Sequence, residues 1–288
     1  MLKGIRNGVI AYLAMAASLG AAAEEPVLSA DLVKTGLYLI TGGGGNSLLR
    51  LSASGSILVD GKQPGSYRAL RSQIRRISKL SDLPVRVLVI TDHHEHHTGS
   101  YAQFVAAGVA VLAQENSRRY LPAVTANPAS GAKAPAPTVN FDHEYRLRMG
   151  GVEAQLLHVG SAHTDNDTVV HFPDLKVVAV GDLFTPDTPV PDFAGGGSLI
   201  GWGPALEQVL KLDFDIAVPS VGPPVTRAEL AAFKARIETL AARASALVKR
   251  GVPPEQLLAQ LKTDDLGWHP TLSAEQLDHL YADLSPAR

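Results

Sequence analysis

Nine residues constrain this chain more than any others: Thr91-Asp92-His93-His94-Glu95-His96-His97-Thr98-Gly99. They follow the apolar, largely β-branched run Val87-Leu88-Val89-Ile90, which reads as the end of a buried strand. Four of the ten histidines and two carboxylates stand within six positions. Neutral imidazoles and carboxylates are ligands for zinc and similar borderline metals. A tight turn at the end of a rigid strand can bring several of them to one point, whereas a solvated polar loop has no need of four imidazoles. A fold that delivers strand ends to a common edge is therefore required.

The rest of the chain supplies further strand ends of this kind. Leu37 to Ile40, Ser47 to Leu51 and Ser56 to Asp60 read as strands, the last two joined through Ser54-Gly55. The run Gly42 to Gly45 lacks the Gly-Lys-Ser/Thr of a phosphate loop and reads as a hairpin connection. Tyr67 to Leu80 has helical spacing of Leu70, Ile74, Ile77 and Leu80. Tyr145 to Met149 and Val152 to Val159 form a hairpin through Gly150-Gly151. Val169 to Phe172 and Lys176 to Val180 are further strands, and Ile216 to Val218 is a last one. His163 lies in the turn after the strand ending at Val159, and Asp182 follows Val180-Gly181. The segment 122–137, rich in Ala and Pro, is expected to be irregular. Pro204 to Leu212 reads as helix, Thr226 with Glu229 caps a helix running to about Arg250, and Ser273 with Gln276 caps the final one. Strands precede helices in each half, so two β-rich halves packed face to face with helices outside are expected.

Composition narrows the function classes. The net charge of −2 and the lack of a long basic run give nucleic-acid binding no electrostatic support. The chain has no cysteine, so a metal must be held by nitrogen and oxygen. Residues 1–23 read as a cleaved signal peptide: Lys3 and Arg6, an apolar stretch from Val9 to Leu19, then Ala21-Ala22-Ala23. That expects a periplasmic or secreted protein with no stable membrane insertion once the signal is cleaved. Residues 24–225 are expected to form the main domain and 226–288 a C-terminal helical extension packed on it.

On these motifs the chain resembles the metallo-β-lactamase-fold hydrolases. The family pattern is Thr-His-x-His-x-Asp-His-x-Gly after a strand, then Ala/Gly-His-Thr, Gly-Asp and Pro-Gly-His-Gly. The matching stretches are Thr91 to Gly99, Ala162-His163-Thr164, Gly181-Asp182 and Pro219-Ser220-Val221-Gly222. The resemblance implies an αββα four-layer sandwich of α/β class. It also implies a metal-activated water that attacks an ester, amide, lactam or thioester of a small-molecule substrate. It places Asp92, His94 and His163 at a first metal, His96 and His97 at a second, with Asp182 bridging. Zinc is the implied ion, with iron or manganese as alternatives. Asp182 or Asp92 would orient the water, and Asp60 would support the ligands from outside.

The departures bear on the activity. Asp92 stands in place of a histidine, His96 in place of an aspartate, and Val221 in place of the last histidine. One tight ion and a weak or absent second are therefore expected. The alternative is a degenerate relative that binds metal, ligand or a partner without hydrolysis. His93 and Glu95 are expected to point away from the metal, and His158 and His171 to be structural. The pocket walls are expected from the loop after Asp182, the glycine run near Gly195 and segment 122–137.

Overall fold

The computed structural model describes residues 25–78, 84–121, 124–127, 132–134 and 139–285. The signal-peptide segment and Leu80 lie outside the described residues.

The first half builds one sheet. Its strands are β1 (Ser29–Lys34), β2 (Leu37–Thr41), β3 (Ser47–Ser52), β4 (Gly55–Val59), β5 (Val85–Val89) and β6 (Ala110–Gln114). Helix α1 (Tyr67–Ile77) crosses between β4 and β5, and α2 (Glu95–Thr98) and α3 (Tyr101–Ala106) between β5 and β6. Strands β7 (Val124–Asn127) and β8 (Ala132–Ala134) pair antiparallel, so the segment expected to be irregular contains a hairpin. Strand β9 (Val139–Phe141) completes the sheet in the order β1-β2-β3-β4-β5-β6-β9. Pairing is antiparallel up to β4 and parallel beyond it.

The second sheet follows: β10 (Glu144–Met149), β11 (Val152–His158), β12 (Thr168–Phe172), β13 (Val177–Gly181), β14 (Ile216–Pro219) and β15 (Val225–Thr226), adjacent in that order. Helix α4 (Leu199–Leu210) precedes β14, and α5 (Arg227–Lys249), α6 (Pro254–Gln260) and α7 (Ala274–Leu284) end the chain.

Strand period explains the layering. Leu48, Ile57, Val59, Val87 and Val89 pack against Ala154, Leu156, Val170, Phe172 and Ala179 between the sheets. Their immediate neighbours Leu49, Leu58 and Leu88 turn the other way, onto Leu70 and Ile74 of α1 and Phe104 of α3. On the far side Val169, Val178 and Val180 meet Trp202, Leu206 and Val209 of α4, with α5 contributing Leu230, Phe233 and Ile237. Both faces of each sheet are thus covered, which is why central strands read as unbroken apolar runs rather than alternations. Each fully buried Leu or Phe contributes about 1.5–3 kcal/mol. The result is an αββα sandwich.

Helix α4 starts five residues earlier than the sequence suggests, with Pro204 inside it. The N-terminal amides find other acceptors: Ser198 Oγ accepts from Gly201 N at 3.0 Å, and Asp283 Oδ2 accepts from Leu199 N at 2.8 Å. Both capping boxes, at Thr226 and Ser273, are formed as the sequence indicates.

Candidate metal centre

β4, β5, β13 and β14 all end at one edge of the sandwich. Backbone bonds tie the sheets there: Thr168 N donates to Thr91 O at 2.8 Å, and Asn46 N donates to Ser220 O at 2.6 Å. Gly181 has φ +54, and a Cβ on it would lie 2.9 Å from Thr91 Oγ1. Only glycine lets the two strand ends approach this closely.

The first sheet supplies Asp60 and the loop after Ile90. Asp60 has φ +62, in the left-handed region, which its hydrogen bonds hold. Its Oδ1 accepts from Thr91 N at 2.9 Å. Its Oδ2 accepts from Thr91 Oγ1 at 2.8 Å and faces His97 Nδ1 at 2.8 Å. A carboxylate accepts, so His97 carries a proton on Nδ1 and turns Nε2 inward. Asp92 Oδ1 accepts from His94 N at 2.8 Å and faces His94 Nδ1 at 2.9 Å. Its Oδ2 lies 3.2 Å from His97 Nε2. Both of these atoms are buried without a hydrogen bond.

The second sheet supplies His163 and Asp182. Thr164 donates its amide and hydroxyl to Asp167 Oδ1 at 3.0 and 2.6 Å, which shapes the turn carrying His163. Asp182 Oδ2 is the common point: His96 Nε2 lies 3.1 Å away, and His97 Nε2 and His163 Nε2 each 3.4 Å. Ser220 Oγ donates to Asp182 Oδ1. Of three groups whose ligand atoms lie within 4.8 Å of one another, two share Asp182: Asp92, His94, His163 and Asp182, and His96, His97 and Asp182. Asp92 and His97, each with a buried atom that makes no hydrogen bond, belong to these groups, and the nitrogen and oxygen donor set suits a borderline divalent ion.

The charges interlock. Burial alone would raise Asp92, but His97 and His94 beside it hold its carboxyl well below the usual range. Burial would raise Asp182 too, but His97 and His96 together hold it below its ordinary value. Burial would lower His94, yet Asp92 raises it to about 9. His97 is raised well above its ordinary value against burial, chiefly by Asp92 and Asp60.

The structure adds residues that the sequence reading passed over. His93, expected to turn away, stacks on Tyr120 at 3.9 Å and on His94 at 4.6 Å. Its Nδ1 lies 2.9 Å from Asn166 Nδ2 and its Nε2 3.4 Å from Asp192 Oδ2. The same Asp192 oxygen is 3.2 Å from His94 Nε2. Asp192 sits among prolines and glycines, with no strand before it to signal a site. The one hint is the glycine run at Gly195, three residues on. Glu95 is exposed, as expected. Val221 is 44% exposed, and its neighbour Ser220 is the residue that meets Asp182. His158 Nδ1 lies 2.8 Å from Asp167 O and His171 Nε2 3.0 Å from Asp213 O, which gives both structural partners.

Two sheets enclosed by helices, with histidines and aspartates gathered at one edge, define a class of metal-binding α/β sandwich. The family profile described as the metallo-beta-lactamase superfamily matches residues 40–221, more than half of the chain. The chain belongs to the metallo-β-lactamase superfamily. Its members bind metal ions, often zinc, and are mostly hydrolases. The 2,4-dinitroanisole O-demethylase subunit alpha of Nocardioides sp. (strain JS1661) is 29% identical over 199 residues. That alignment covers 68% of this chain and 58% of the relative, so the chain spans less than two thirds of that protein. A metallo-β-lactamase from Pontibacter korlensis superposes with a TM-score of 0.62 at 20% identity, over 74% of this chain and 99% of that one. The stereoselective inverting sec-alkylsulfatase Pisa1 from Pseudomonas sp. gives 0.67 at 18% identity, over 90% of this chain and 49% of that one. At these identities the likeness is one of fold.

Proposed function

We propose that this chain is an exported metal-dependent hydrolase acting on a small molecule with an ester, amide, lactam or thioester bond. The observation that carries the reading is the convergence of three imidazoles, from His96, His97 and His163, on one oxygen of Asp182, within 3.4 Å. Asp92, His94 and His163 would hold the tighter ion, with zinc the preferred occupant. His96 and His97 would hold the weaker one, and Asp182 would be shared. A divalent ion there supplies Lewis acidity and makes water a competent nucleophile near neutral pH.

The chain's own groups do the rest. Ser220 holds Asp182 by donating to Oδ1, which leaves Oδ2 directed at the imidazoles, where the carboxylate would orient a water beside the ion. Asp60 fixes the ring of His97. His96, about a third exposed beside Asp182, would hold the weaker ion from the solvent side. The export part of the reading rests on the basic, apolar and small-residue order of residues 1–23. A second reading, metal binding without hydrolysis, is favoured by Val221, which brings no donor to the weaker position.

The test is elemental analysis of protein purified without added metal, joined to assays on β-lactam, lactone, thioester, alkyl sulfate and 2,4-dinitroanisole substrates. The hydrolase reading expects bound metal and chelator-sensitive turnover of at least one. Bound metal with no turnover on any would favour the second reading, and absence of both would sink the metal centre.

A further inference from the structure

Asp192 lies outside the ligand groups through which the metal reading works, yet it faces two imidazoles of the histidine loop. His94 has two ring nitrogens in different company: Nδ1 is 2.9 Å from Asp92 Oδ1, and Nε2 is 3.2 Å from Asp192 Oδ2. Only one of the two can serve a metal shared with Asp92, His163 and Asp182, and the other needs an acceptor for its proton. A carboxylate there orients the ring and raises its basicity.

His93, His94 and Asp192 also lie close enough together to hold an ion of their own. The surroundings of His93 argue against that use. Asn166 Nδ2 lies 2.9 Å from His93 Nδ1 and 3.2 Å from Asp165 Oδ1, so one amide hydrogen serves each. His93 Nδ1 is then an acceptor, and the ring proton sits on Nε2, facing Asp192 at 3.4 Å. A ring that donates through Nε2 has no lone pair there for a metal. With Nδ1 of His94 turned to the metal beside Asp92, its ring proton sits on Nε2, and Asp192 receives two imidazole N–H groups.

Its position is fixed by the backbone around it. Asp192 N donates to His163 O at 2.7 Å, Gly197 N to Asp192 O at 2.8 Å, and Asp165 N to Gly195 O at 2.9 Å. Gly195 N donates to Asp192 Oδ1 at 3.0 Å, leaving Oδ2 for the histidines. In the same loop Val190 O lies 3.2 Å from His163 Nδ1. One loop thus meets the outward nitrogens of both His94 and His163.

We infer that Asp192 is a positioning residue of the metal centre, holding His94 in its ligating orientation from outside the ligand set; the inference rests on the metal reading above. The experiment is zinc titration against a chromophoric chelator, with elemental analysis for stoichiometry and the visible spectrum of the cobalt(II)-loaded protein for geometry. Asp192→Ala is expected to weaken zinc binding about 10–100-fold with the number of ions unchanged and the cobalt spectrum shifted. Asp192→Asn, which keeps an oxygen acceptor but no charge, is expected to fall between that variant and the wild type. It also carries the test should the alanine variant fail to fold. Unchanged affinity and spectrum would overturn the inference, and so would loss of a whole equivalent of metal, which would make Asp192 a ligand. Wild-type protein that takes up no zinc would overturn the metal reading and this inference with it.

Discussion

Two loops meet at the metal centre, and they are held in different ways. The loop of residues 91–99 is braced from close by: Asp92 binds the amide of His94, Thr98 Oγ1 donates to His94 O, and Asp60 clamps Thr91 and His97. The loop of residues 182–198 has remote braces. Asp283 of α7 accepts from Ser198 Oγ at 2.7 Å and from Leu199 N at 2.8 Å. His269 N donates to Thr188 Oγ1 at 3.0 Å, and Phe193 stacks with His279 at 6.1 Å. The same chemistry at the tip is thus supported by short-range order on one side and by the C-terminal helices on the other.

The largest effect should come where the two loops share a residue. Asp182→Ala removes the oxygen on which three imidazoles converge, and zinc affinity should fall by more than about 100-fold, beyond what loss of an outer support costs. Competition with a chromophoric chelator measures it. A fall of less than tenfold would mean that the two loops hold metal independently.

Breaking the local brace comes next. Asp60→Ala strands the Thr91 amide and removes one of the carboxylates that hold the charge of the fully buried His97. Denaturant unfolding should show a loss of about 3–5 kcal/mol, the cost of leaving one member of a buried charged pair alone. A loss under 1 kcal/mol would show that the brace is dispensable.

Breaking the remote brace should cost less stability yet still reach the metal. Asp283→Ala removes a cap from α4, worth about 1–2 kcal/mol. Zinc binding should weaken several-fold, although Asp283 touches no candidate ligand. Wild-type affinity in a variant with lowered stability would detach the C-terminal helices from the site.

This contrast also separates what is legible in the sequence from what is not. His94, His97, His163 and Asp182 each follow an apolar run, and runs buried on both faces are easy to see. The sandwich layering follows from the same runs. Asp192 and Ser220 are invisible because their roles depend on neighbours brought in by tertiary packing. The start of α4 is hard to see for the same reason: Ser198 caps it, but the acceptor that completes the cap, Asp283, is 85 residues from Ser198. Pro204 and two glycines, Gly201 and Gly203, argue locally against a helix there, and a distant carboxylate helps override them. Val221 occupies the position of the family's last histidine, but the contact with Asp182 is made one residue earlier.

A pH-dependent effect, small near neutral pH, concerns the glycine loop beside His96. A Cβ on Gly45 would lie 2.9 Å from His96 Cδ2, and Lys62 Nζ donates to Gly45 O at 2.7 Å and Ile40 O at 2.5 Å. Burial lowers Lys62 from 10.5 to about 7, with Asp60 opposing. Between those values the unfolded chain binds the extra proton, so the cost of burying this charge is full below about pH 7 and fades as pH rises towards 10.5. Against Lys62→Met, the wild type should therefore gain stability above pH 7, by up to about 1.4 kcal/mol per pH unit. Denaturant unfolding at several pH values reads this directly, and a pH-independent difference would show that Lys62 stays charged.

The most direct measurement is the zinc count of the wild-type protein. Stripped with chelator and titrated back in a calorimeter, with elemental analysis alongside, it should bind one ion tightly and a second much more weakly. The first position keeps Asp92, His94, His163 and a share of Asp182, while the second has His96 and His97 and no donor from Val221. Two ions of equal affinity, or none, would contradict the account.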